Sequence, residues 1–308
     1  MELSRIVLGC DSILFERGGD IAPVMNACEE LGINVFDTAR GYGKSEKVLG
    51  EYIRTHGKRE DYFVITKGCL PFPFSRLNPR CLKKDLETSL KTLDIGYIDL
   101  YLLHRDDKNA DMGAILSILN EYREKGLIRE YGVSNWRKDR IEAFNQLAGE
   151  KGYAPFKAVS NNFTLLPWVK DPFGGGDGCV SVSGEEEEIA YMIEHNLPLF
   201  SYSPLARGFL TGRVDPNNKD SIKKMDHHAQ KGYVSEANLK RIALLNDLAK
   251  ELGINLPSLT IAYLVNCKMK TYPIVGSTSP KRLEENVKAS QIKLDEKTMK
   301  RLDAILKG

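Results

Sequence analysis

A chain of 308 residues with 42% apolar and 28% charged side chains holds enough apolar material for a full core and could form one large domain, as α/β barrels of roughly 250 residues do, or two ordinary ones. Its net charge of +2, with the basic residues spread out, argues against a nucleic-acid surface or a polybasic membrane anchor. No apolar run is long enough to span a bilayer, and the start, MELSRIVLGC, lacks a signal peptide's basic-then-apolar layout, so a cytoplasmic protein is expected.

Short β-rich runs alternate with helical patterns along the whole chain. Strands are expected over 5–8, 34–37, 63–67, 98–103, 128–134, 158–161, 199–202 and 272–275. The second is abrupt: Val35 and Phe36 are β-formers, and the run stops at an acid, Asp37. Tyr42 follows between Gly41 and Gly43, and Ser45 opens an amphipathic helix with Val48, Leu49, Tyr52 and Ile53 on one side. Residues 79–93 form the clearest helix. Asn78 stands at its N-cap, Pro79 at its first position, and Leu82, Leu86, Leu90 and Leu93 make a stripe. Further helices are expected over 110–125, closed by Gly126, and over 137–148, with Ile141, Phe144 and Leu147 facing inward. The acidic run Glu185–Glu188 is read as a helix start, with Ser183 and Glu186 as an S-x-x-E capping pair. None of the six cysteines lies in a C-x-x-C pair, so free thiols are expected, and no metal site is assigned to His227 and His228.

Eight strands alternating with helices imply parallel pairing and right-handed crossovers. The choice lies between an open doubly wound sheet and a (β/α)8 TIM barrel. The count of eight favours the barrel. So does the first strand, which is followed by GCDSIL and not by G-x-G-x-x-G. The glycine cluster 173–178 has no strand before it and no helix directly after it, and is read as a loop rather than a phosphate cradle. No break in composition marks a second domain, so residues 1–308 are read as one.

In a barrel the chemistry sits at the C-terminal strand ends. There the sequence places Asp37, Lys67 and His104, with Tyr42 on the loop beyond Asp37. Each has a plain explanation alone: a loop cap, a solvated strand end, a satisfied core histidine, a surface aromatic. Adjacent strand ends bring them together, and as a set they suit one task. A phenol with a pKa of about 10 is a poor acid at neutral pH, and a neighbouring ammonium lowers that value. A carboxylate holds the ammonium, and a neutral histidine donates a hydrogen bond to a carbonyl oxygen. The set would protonate a carbonyl oxygen as hydride arrives at carbon.

The segments NVFDTARGYGKSEKVLG, FVITKG, YIDLYLLHRDD, YGVSNW, LFSYSPLARGFLTG and PIVGSTSPKRLEENVKA run in the order seen in the aldo-keto reductases, and the chain resembles that family over nearly its whole length. The resemblance implies a (β/α)8 barrel that reduces aldehydes or ketones with NAD(P)H. It makes Tyr42 the general acid, tuned by Lys67 and Asp37, with His104 orienting the carbonyl. Ser134 and Asn135 resemble the pair that holds the nicotinamide carboxamide, and Tyr202 the ring stacked under the nicotinamide. Ser203, Leu205 and Arg207 lie where the family wraps the pyrophosphate. Gly276, Ser277 and Thr278 match the loop at the 2′-phosphate. Arg282 matches a residue near that phosphate and the adenine, and Glu285 and Asn286 match contacts to the adenine edge.

The chain departs from the pattern in several places. Ser160 or Asn161 stands where many members carry glutamine. Gly276 stands where many carry lysine, so NADP(H) is expected to be preferred with NAD(H) possible. The segment after strand four is short and the chain ends after its last helix, which implies an open substrate pocket. In residues 162–184, either Phe163, Trp168 and Phe173 form an apolar wall over that pocket, with Trp168 touching substrate, or Trp168 merely packs the loop onto the barrel. The expected partner is a small carbonyl compound, with no nucleic acid or membrane. Two alternatives stand beside the reductase. One is a coenzyme-binding regulator of the potassium-channel β-subunit type. The other, a metal-dependent hydrolase, lacks convergent ligands at the strand ends.

Overall fold

The computed structural model describes residues 1–71, 74–173 and 178–308. Eight strands form a closed barrel in chain order: β1 (Val7–Gly9), β2 (Val35–Asp37), β3 (Phe63–Gly68), β4 (Ile98–Leu103), β5 (Ile128–Ser134), β6 (Val159–Ser160), β7 (Leu199–Ser201) and β8 (Thr271–Val275). The recorded pairings are parallel throughout. The fold is the expected (β/α)8 barrel. By contact density the chain forms two groups, residues 1–160 with 276–283 and residues 161–275 with 284–308.

The first group holds β1 to β6. Its strands are largely buried, because a parallel sheet is covered on both faces; all six residues of β4, IDLYLL, are buried, Asp99 among them, while β5 exposes Arg129. The helix Pro79–Leu93 has the expected bounds, with the Asn78 side chain accepting the Cys81 N–H at 3.0 Å. The next helix is Met112–Glu124, two residues later than expected at its start, because Asp111 caps it by accepting the Ala114 N–H. The helix Ser45–Thr55 crosses the end of Pro79–Leu93 at Gly50, where a Cβ would stand 2.0 Å from the Leu93 carbonyl oxygen. Only glycine allows that approach.

The second group holds β7, β8 and four long helices, Glu186–Glu194, Glu236–Glu251, Leu256–Asn266 and Glu296–Lys307. Two expectations are corrected here. Ser183 does not cap the helix after it: no side chain caps that helix, and the Ser183 hydroxyl accepts the Thr164 N–H at 2.9 Å. Phe163 is not part of an open wall; it is 1% exposed and packs against Tyr263. In the glycine cluster, residues 174–177 lie outside the described residues. No disulfide joins any of the six cysteines. No described helix is long and apolar enough to cross a membrane.

Candidate active site

Asp37 closes β2, Lys67 is the next-to-last residue of β3, and His104 follows β4. Parallel register therefore sets three polar side chains at neighbouring strand ends. The Lys67 Nζ donates to Asp37 Oδ2 at 2.7 Å and to the Thr38 carbonyl at 2.9 Å. Both ends of this pair are buried, Lys67 at 3% and Asp37 at 4% exposure. The same Nζ stands 5.0 Å from the centre of the Tyr42 ring. Tyr42 meets the His104 ring edge-on, with centroids 5.9 Å apart.

The Tyr42 loop reaches this position through its flanking glycines. Gly43 has φ +52°, and a Cβ there would lie 2.6 Å from the Glu16 carbonyl oxygen, which accepts the Lys44 N–H. A Cβ on Gly41 would press on the Leu70 side chain.

Burial dominates the electrostatics. It pushes the Tyr42 phenol up to about 12; Lys67 pulls it down, and Asp37 and Asp11 push it up. The ammonium thus acts in the expected direction but is outweighed, and the phenol stays protonated at neutral pH. For Lys67, burial pulls the ammonium down, and the charges of Asp37 and Tyr42 carry it above its ordinary value. Burial pushes the Asp37 carboxyl up against the pull of Lys67. His104 is held well below its ordinary value by burial and by the Lys67 and Arg105 charges, so its ring is neutral. Asp37 Oδ1 and His104 Nδ1 are buried with no hydrogen-bond partner among the described residues. Two contributors, the Thr38 carbonyl and Asp11, are absent from the sequence reading. Asp11 stands just past β1, so the strand-end rule, applied to that strand too, would have found it.

Beside this group, the Ser134 hydroxyl donates to the Ser160 carbonyl at 2.8 Å. Asn135 Nδ2 donates to Ser134 Oγ at 2.9 Å and to the His104 carbonyl at 3.3 Å. Asn135 is left-handed, with φ +63°, which asparagine tolerates better than most residues. The Ser160 hydroxyl is buried with no partner among the described residues. Ser134, Asn135 and Ser160 are thus brought together, while Asn161 belongs to the second group.

In the loop after β8, Ser277 Oγ accepts the Ser279 N–H at 3.2 Å, just before the helix Pro280–Ser290. Thr278 is exposed. So is Arg282, which has no hydrogen-bond or ion-pair partner among the described residues. On the same helix Glu285 is exposed and Asn286 buried.

Within the second group, Tyr202 follows β7 and is flanked by Trp168 and Phe173, with ring centroids 6.4 and 6.2 Å away. Trp168 also donates from Nε1 to the Tyr233 hydroxyl at 2.8 Å. Ser203, Ala206 and Arg207 have φ of +50°, +49° and +51° around Leu205. Such strain in non-glycine residues gathers at functional sites. The Arg207 guanidinium is 3.4 Å from Asp226 and lies over the Phe173 ring, partners far away in sequence.

Among curated proteins, the chain is similar to the aldo-keto reductase YhdN of Bacillus subtilis, 25% identical over all of this chain and 91% of that protein. It is 28% identical to the aldo-keto reductase yakc [NADP(+)] of Schizosaccharomyces pombe, covering 91% of this chain and 80% of that one. It is also 28% identical to a probable voltage-gated potassium channel subunit beta of Arabidopsis thaliana, covering 87% and 81%. The family model for the aldo/keto reductases matches residues 20–307. That stretch holds every strand but β1 together with Asp37, Tyr42, Lys67 and His104, and the chain belongs to the aldo/keto reductase family.

Proposed function

We propose that this oxidoreductase reduces aldehydes or ketones to alcohols, with Tyr42 as the general acid. One observation carries the reading: a buried Lys67 ammonium, fixed by Asp37 at 2.7 Å, stands 5.0 Å from the centre of the Tyr42 ring, beside a neutral His104. Bound NADPH would supply the hydride. His104 donates a hydrogen bond to the substrate oxygen and aims it at the phenol. Tyr42 gives its proton to that oxygen as negative charge develops there, and the O–H bond of the phenol breaks as that of the alcohol forms. Lys67 stabilises the phenolate that remains, and water restores the proton.

The chain's own residues fit a nicotinamide coenzyme. The unpartnered Ser160 hydroxyl beside Ser134 and Asn135 suits a carboxamide. Arg282, exposed and unpartnered among the described residues, suits a phosphate. Tyr202 would stack on the nicotinamide, and Ser203, Leu205 and Arg207 would hold the pyrophosphate. Gly276, Ser277 and Thr278 with Arg282 would hold the 2′-phosphate, and Glu285 and Asn286 the adenine. We read NADP(H) as preferred, with NAD(H) usable. The relative named as a channel subunit supports a second reading, a coenzyme-binding regulator with little turnover. Multiple turnovers of 4-nitrobenzaldehyde with NADPH would support the reductase. Slow or single-turnover oxidation would favour the regulator.

A further inference from the structure

A carboxylate in the first turn of a helix usually faces water and serves the helix dipole. Glu46, second residue of the helix Ser45–Thr55, is only 2% exposed. Burying a carboxylate is unfavourable unless its hydrogen bonds are met. Glu46 Oε1 accepts the Thr66 hydroxyl at 2.7 Å, and Thr66 is the residue before Lys67.

The preceding residue makes the matching link. Ser45 Oγ donates to the Cys10 carbonyl at 3.0 Å and lies 2.8 Å from Thr38 Oγ1. A hydroxyl carries one proton, so Thr38 donates in that second bond. Thr38 is the residue after Asp37, and its carbonyl accepts from Lys67. The Ser45 N–H donates to the Tyr42 carbonyl at 2.9 Å, and the Arg40 N–H donates to the Lys67 carbonyl at 2.9 Å. Ser45, Thr38 and Thr66 are fully buried. The start of one helix is thereby tied to the neighbour of Lys67, to the neighbour of Asp37 and to the backbone of Tyr42.

We infer that Glu46 is a positioning residue: through Thr66, and with Ser45 on Thr38 and Cys10, it holds the Tyr42 loop in register with Lys67 and Asp37. This rests on reading Tyr42 as the acid. Burial, its largest influence, raises the Glu46 carboxyl above its ordinary value, so glutamine, neutral and still able to accept from Thr66, is a close replacement.

The test uses Glu46→Leu, Glu46→Gln, Thr66→Val and, alongside, Tyr42→Phe. Glu46→Leu and Thr66→Val should lower kcat on an aldehyde by about 10- to 100-fold, the scale of an ångström-sized misplacement. NADPH affinity should be unchanged, and Glu46→Gln should recover most of the turnover. Hydrogen exchange at the Tyr42 and Ser45 amides should speed up in Glu46→Leu and Thr66→Val, with the helix Met112–Glu124 unaffected. If Glu46→Leu fails to fold, Thr66→Val, nearly the same in shape, carries the test. Unchanged exchange at Tyr42 and Ser45 overturns the inference whatever turnover does. Faster exchange with full kcat overturns it as well, provided Tyr42→Phe is impaired. Should Tyr42→Phe keep full turnover, the reading of Tyr42 as acid fails, and exchange alone then judges the positioning.

Discussion

Replacing Lys67 by methionine keeps the methylene stem and removes the charge. Asp37 Oδ2 loses its 2.7 Å donor and the Thr38 carbonyl its 2.9 Å donor, at sites almost closed to water. Stripping one partner from a buried ion pair costs about 3–5 kcal/mol. Asp37 has an escape, however. Burial already pushes its carboxyl up and Lys67 is what holds it down, so without the lysine it binds a proton. What then remains is a neutral acid and one unpaired carbonyl, each worth about 1–3 kcal/mol. Keeping that acid neutral at pH 7 against an unfolded pKa of about 3.9 itself costs about 4 kcal/mol, so the expected loss stays within the range of about 3–5 kcal/mol. The sign of the pH dependence follows. In the variant, Asp37 has a folded-state pKa above its unfolded value of about 3.9. Its contribution is present below that value and is lost as pH rises through the folded pKa. Burial already raises the wild-type carboxyl, so the gap between wild type and variant should open as pH rises through the wild-type folded pKa and widen until pH passes the variant's higher one. Urea unfolding at a series of pH values measures it. Adding Asp37→Leu should restore much of the stability and none of the turnover. A loss under about 1 kcal/mol that does not vary with pH would refute the description of Asp37 and Lys67 as a buried charged pair.

Arg282→Ala should weaken NADPH binding by about tenfold, the lower end for a charge-assisted contact because the side chain is exposed, and leave NADH almost unchanged; an equal rise in both dissociation constants would place Arg282 on the shared adenine instead. Gly276→Lys should sharpen the preference, since a Cβ at Gly276 meets nothing within 4 Å and the new cation has room; an unaltered NADPH-to-NADH ratio would count against the loop. Trp168→Ala should raise KM for an aromatic aldehyde more than for methylglyoxal, whereas equal effects would make Trp168 packing for Tyr202 and Tyr233. With the Tyr42 phenol at about 12 and His104 held neutral, kcat should stay level between about pH 6 and 9; a titration inside that window would show that another group supplies the proton.

Local rules carried the fold a long way. Asn78, Pro79 and the leucine stripe bound their helix correctly because cap, first-position proline and apolar period agree there. The helix at Met112 started late because a stronger cap, Asp111, lies inside the expected span. Ser183 shows where pattern fails: its hydroxyl is taken by Thr164, nineteen residues earlier, and no local rule sees that competitor. The placement of Asp37, Lys67 and His104 was legible because parallel register brings neighbouring strand ends together, whereas Tyr42 depends on the loop beyond β2. Their protonation was less so. The charges around Tyr42 can be read from sequence, but burial, the largest influence on the phenol, is a property of the folded chain. The partners of Arg207, Asp226 and Phe173, and the links from Glu46 to Thr66 and from Ser45 to Cys10 likewise appear only once distant segments pack.

The central claim is that Tyr42 delivers the proton. Tyr42→Phe removes one hydroxyl and keeps the ring that faces His104 and Lys67. Turnover of an aldehyde and NADPH binding, measured on the same preparation, test the claim directly. The account requires kcat to fall by about 10²-fold or more, with the NADPH dissociation constant near that of wild type. A variant that retains full kcat would contradict it.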